Sequence, residues 1–194
     1  MKIELGLGIE YLGRLYKTAN VRLLTMGGQC SALEMIDALG IDEENASHKE
    51  AILVDMAYLS QQVSFDGIPA EIVDAQFLFE HLVTDDYWQQ LEATLMLKKK
   101  AYRKWGEPRQ PKQPSGRFGV AEAFKQYRQA VILFAKFAIP ADKVWQMSLI
   151  ELSAWIESYL EFEGVKQPKQ ATDSPSNNVK HESFVFTRRG KIGA

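Results

Sequence analysis

The sequence predicts a mainly α fold: a helical domain with a short N-terminal β strand or hairpin and a disordered C-terminal tail. Three observations lead there. Apolar residues recur at helical spacing from about Thr18 to Phe162. The helix-start pattern Ser-x-x-Glu appears at Ser31, Ser47 and Ser148. Only the first residues alternate as a strand does, with Ile3, Leu5, Leu7 and Ile9 on one side.

The elements follow in order. Lys2 to Tyr16 reads as a strand or hairpin, relaxed by Gly6, Gly8 and Gly13. Ser31 and Glu34 can cap one another, with Leu33, Ile36 and Leu39 behind them and Gly40 as the stop. Ser47 and Glu50 repeat the box, followed by Ile52, Leu53, Met56, Leu59 and Val63. Pro69 suits a first helical turn, from which Ile72, Val73, Phe77 and Leu82 continue. Thr84-Asp85-Asp86 reads as a solvated helix start, with acid where the dipole favours it. Trp88, Leu91, Leu95 and Tyr102 then form a stripe toward Trp105.

Residues 106–119 hold three prolines, three glycines and few apolar groups, the composition of an exposed linker. Phe124, Tyr127, Val131, Phe134 and Phe137 give the next helix, ended by Ile139-Pro140. Ser148 and Glu151 start the last helix, with Met147 and Leu152 as a hydrophobic staple and Gly164 as the stop. The organisation expected is a helical region over 1–105, a linker over 106–119, a helical pair over 120–163 and a flexible tail over 164–194.

Composition narrows the chemistry. The 194 residues carry 46% hydrophobic and 25% charged side chains and a net charge of −2, so no global field draws nucleic acid or anionic lipid. Cys30 is the only cysteine, which rules out an internal disulfide and suits a reducing cytoplasm. No stretch has the length of a membrane span or the form of a signal peptide.

Motifs for catalysis are missing. Tyr11 stands where a dinucleotide fingerprint needs its third glycine after Gly6 and Gly8. His48, His81 and His181 lie far apart. The acidic groups Asp42-Glu43-Glu44 and Asp85-Asp86 both precede helices. The expectation is therefore a protein with no enzyme activity, cofactor or bound metal. Lys98 to Trp105 mixes four lysines and an arginine with two aromatics, which keeps open a helical nucleic-acid-binding or regulatory adaptor.

What remains is the aromatic segment from Asp142 to Leu160, either core or interface, since both use the same residues. Its Trp145, Met147, Leu149, Leu152, Trp155 and Ile156 are the candidate protein-binding residues.

Two stretches resemble one family. The opening Met1–Gly6 with Tyr11–Gly40, and Trp145, Met147, Ser148, Glu151 and Leu152 in the last helix start, resemble tail assembly chaperones of long-tailed bacteriophages, the lambda-type G protein-like family. The chain departs from that pattern at Met26-Gly27-Gly28-Gln29-Cys30, where the family more often has an Ile-Gly-x-Pro-like turn. The resemblance implies a non-enzymatic protein of the host cytoplasm that binds the tape measure protein, recruits tail tube subunits and is absent from the finished virion. It also implies a longer frameshifted product, for which Gly190-Lys191 is a pair that a slippery run of G and A encodes.

Overall fold

The computed structural model describes residues 1–42, 45–106 and 119–164. The expected linker between Gly106 and Gly119, the tail beyond Gly164, the acidic Glu43-Glu44, His181 and Gly190-Lys191 lie outside them. The described residues form β1 (Lys2–Tyr11), β2 (Arg14–Val21), α1 (Met26–Ala38), α2 (His48–Ser60), β3 (Val63–Phe65), α3 (Ala75–His81), α4 (Thr84–Trp105), α5 (Val120–Ala135), α6 (Ala141–Gln146) and α7 (Leu149–Phe162).

The sheet is antiparallel, in the order β1-β2-β3. Leu12 and Gly13 close the first hairpin with φ of 50° and 71°, the two left-handed residues of a tight hairpin turn. Strand pattern therefore persists past Thr18, where helix was expected, to Val21. Leu5, Ile9, Ala19, Val21, Val63 and Phe65 face the core. The third strand was unforeseen, because Val63 continues the apolar rhythm of α2 and a three-residue strand has too little pattern of its own.

Leu7 departs from the predicted alternation and is exposed, for a local reason. The ladder runs in register to Glu4↔Thr18 and resumes at Ile9↔Tyr16, so β1 bulges between them. The bulge turns three consecutive amides toward α4. Gly6 N–H donates to Gln89 Oε1 (3.2 Å), Leu7 N–H to Asp86 Oδ1 (3.2 Å) and Gly8 N–H to Asp86 Oδ2 (2.7 Å). Asp86 is thus fully buried, which corrects its reading as a solvated helix-start acid; Asp85 stays exposed. Converging amides favour an anion, and here the chain supplies its own. Gly8 has φ +85°, and a Cβ on it would lie 2.8 Å from the Tyr16 carbonyl oxygen.

Three helix starts also differ from expectation. Helix α1 is capped by Thr25, whose Oγ1 accepts from Gly28 N–H (3.0 Å), so Ser31 lies inside the helix. Helix α3 starts behind Asp74, whose carboxylate accepts from Phe77 N–H (2.7 Å), and Pro69 belongs to the preceding turns. Helix α4 has Val83 rather than Thr84 at its cap position and no side-chain cap bond. Elsewhere local chemistry decides as predicted. Ser47 and Glu50 form the full capping box of α2. Gly40, at φ +68°, ends α1: its N–H reaches Asp37 O (2.9 Å) and Ile41 N–H reaches Ile36 O (3.3 Å).

The 120–163 region holds three helices rather than a pair. Met147 is extended, and Ser148 Oγ starts α7 by accepting from Glu151 N–H. These helices pack on the N-terminal region. Met26 joins Ala130, Phe134, Val144, Met147 and Leu152 in one core cluster, while Ala123 joins the larger core of the sheet and α1–α4. A short antiparallel bridge, Thr25↔Ser148, ties the two together: Met26 N–H donates to Met147 O (3.0 Å) and Leu149 N–H to Leu24 O (3.2 Å).

Gly27 sits at this junction, where a Cβ would fall 2.2 Å from Trp145 Nε1. In an exposed helix Gly→Ala gains about 1 kcal/mol. Gly27→Ala is expected to destabilise instead, by about 1–3 kcal/mol from overpacking. Urea melts of Gly27→Ala alone and combined with Trp145→Leu test this: the second substitution should recover much of the loss.

Candidate functional site

Five of the six candidate residues turn inward. Trp145 is half-buried, edge-on to Tyr127 (centroids 4.9 Å) and tilted against Phe124 (6.1 Å). Met147 and Leu152 are buried, as a staple around Ser148 should be. Leu149 and Ile156 are half-buried against the same cluster. Trp155 alone is exposed, at 37%.

Trp155 belongs to an aromatic face that joins α7 to the end of α5. Its ring stands edge-on to buried Phe134 (6.2 Å) and tilted against exposed Phe137 (6.3 Å). Phe137 is edge-on to Tyr159 (5.8 Å). Residues three and four apart share a helix side, so Trp155, Tyr159 and Phe162 line one side of α7, and Phe162 is 86% exposed. Ile132 of α5 is exposed as well. Sequence periodicity had placed Phe137 in the α5 stripe, but α5 ends at Ala135 and Phe137 falls in the turn after it. Phe162 was legible as the residue seven after Trp155.

Lys136 borders this face. Its Nζ donates to Tyr159 Oη at 2.8 Å while lying 5.1 Å from the ring centroid. The ammonium therefore sits off the hydroxyl end of the ring, and the hydrogen bond dominates over any contact with the π face. That bond, with the charges of Tyr159 and Glu163 adding to it, holds the ammonium above its ordinary pKa. Its charge is secure at neutral pH.

Ala138 sets the turn that presents Phe137. It has φ +56°, with Ala138 N–H bonded to Ala135 O and Ile139 N–H to Phe134 O (both 3.1 Å). This is a helix-stop geometry normally given to glycine.

Among the other candidates, His81 packs on a neighbour and Cys30 is buried, whereas most cations of the basic segment are exposed. His81 stacks on Phe77 (4.5 Å, 18°), and its Nδ1 lies 3.0 Å from Phe77 O. Burial pushes the Cys30 thiol up, away from the reactive thiolate. In the basic segment, burial lowers the Lys98 ammonium, and Lys104 Nζ lies 4.4 Å over the Trp105 ring, where a base would stack. Among the described residues no group of three or more His, Cys, Asp or Glu is placed to hold a metal ion, and no helix is long and apolar enough to cross a membrane.

No family model, curated protein or solved structure matches the chain.

Ala138→Gly should remove left-handed strain of about 1–2 kcal/mol and cost about 0.5–1 kcal/mol through the freer unfolded chain. A net stabilisation of about 0.5–1 kcal/mol in denaturant melts is the expected outcome.

Proposed function

We propose that this protein is a non-enzymatic assembly chaperone of the phage tail type, acting in the host cytoplasm. Its aromatic face covers apolar helical stretches of a tape measure protein while tail tube subunits gather. The observation behind this reading is the solvent-exposed aromatic set Phe137, Trp155 and Phe162, with half-buried Tyr159 against Phe137 and buried Phe134 against Trp155. Rigid aromatic anchors on a fixed frame suit a helix laid into a groove, because little side-chain freedom is lost on contact. The tape measure and tube proteins enter through the sequence resemblance.

Within the segment first singled out, client contact then falls to Trp155, with Phe137 and Phe162 beside it. Trp145, Met147 and Leu152 serve by fixing α6 and α7 in place, with Leu149 and Ile156 packed beside them.

The test is co-expression with the proteins encoded by neighbouring genes, followed by affinity purification. The client should be soluble and recovered only with this chain. Phe137→Ala combined with Phe162→Ala should shift the denaturation free energy by about 1 kcal/mol or less while weakening client binding by about 2 kcal/mol or more. Leu152→Ala should cost about 2–5 kcal/mol of stability. A client that is soluble alone and fails to co-purify would end this reading.

A further inference from the structure

Helix α4 is packed with its polar side inward. Its buried residues are Asp86, Gln90, Ala93 and Thr94, on one side at three- and four-residue steps. Asp86 holds the β1 bulge and Thr94 Oγ1 donates to Gln90 O (2.9 Å). Of the apolar stripe expected on α4, Trp88 is 61% exposed and Leu95 41%, while Leu91 and Tyr102 are half-buried; Met96, outside that stripe, is 55% exposed. This α4 surface has charges of both signs in a definite order. Exposed Asp85 and Glu92 lie in the N-terminal half, and exposed Lys99 and Arg103 in the C-terminal half. Among the described residues Glu92, Lys99 and Arg103 make no ion pair.

We propose that this face binds a second copy of the chain, with the two α4 helices antiparallel about a two-fold axis between Leu95 and Met96. A parallel partner would set acid on acid and base on base. An antiparallel copy sets the acidic half of each helix on the basic half of the other. With the dyad at that point, Glu92 faces Lys99 of the second copy, Trp88 faces Arg103, and Leu95 and Met96 meet at the centre. The exposed positions Trp88, Glu92, Leu95 or Met96, Lys99 and Arg103 follow one another at three- or four-residue steps, so they share one side of α4. Apolar groups sit at the middle and complementary charges outside, and Trp88 with Arg103 is a favourable cation–π pair. The proposal does not depend on the tail-assembly reading, since it concerns α4 and not the Phe137–Phe162 face.

Sedimentation of the purified full-length chain, without client, is the experiment. A reversible dimer at about 10 µM is expected. Glu92→Lys alone and Lys99→Glu alone should each weaken it roughly tenfold or more, because each breaks two symmetry-related ion pairs and creates like-charge contacts. The double variant should restore it, which a loss of folding would not. Met96→Cys should cross-link two chains under a mild oxidant. Asp85→Cys should not, since its two copies lie about 30 Å apart along the paired helices. A wild-type chain that stays monomeric at about 100 µM, one that associates only with a client, or a dimer indifferent to both charge reversals would overturn the proposal.

Discussion

A helix that begins Met-Gly-Gly has weak intrinsic reasons to form, yet α1 starts there, capped by Thr25, and Trp145 occupies the space a Cβ on Gly27 would need. The contact joins parts of the chain more than a hundred residues apart. It seats α6 against α1, and the Thr25↔Ser148 bridge places the start of α7 beside them. The orientation of Trp155, Tyr159 and Phe162 follows, because a helix start fixed by two backbone hydrogen bonds also fixes which side of the helix faces the core. The aromatic face depends on a glycine with no part in it.

A second constraint acts from the sheet. The bulge in β1 turns three amides toward α4, and two of them hold the buried carboxylate of Asp86, a charge that is costly to bury without such partners. Asp86 and Gln89 satisfy the three amides, which turns the Asp86 side of α4 inward. Once that side is committed, Trp88 and Leu95, which lie on the opposite side, point away from the core. The apolar exposure of α4 is thus a consequence of where polar atoms had to go. Its hydrophobic surface faces the outside for the same reason that its carboxylate does not.

Much was legible in the sequence wherever the signal was local. The capping box at Ser47, the N-cap bond at Ser148, the stop at Gly40 and the staple of Met147 and Leu152 each involve residues a few positions apart. The mainly helical class with a small N-terminal β element follows from the same local periodicities. The candidate site was only half legible. Trp155 stood out by spacing, but periodicity gives the same answer for a core face and an exposed one, so it grouped buried Leu152 with exposed Trp155. Phe137 was hidden because its helix ends two residues earlier, in a left-handed turn at Ala138 that no glycine advertises.

By itself, then, the sequence determined the mainly helical class, the helix starts at Ser47 and Ser148 and the stop at Gly40, because capping and periodicity are short-range. The tertiary structure alone decided which face of each helix is inside. In α4 the choice was made by amides of β1, and in α7 by a glycine of α1 and a tryptophan of α6. Burial is a property of partners, and those partners stand far apart in the chain.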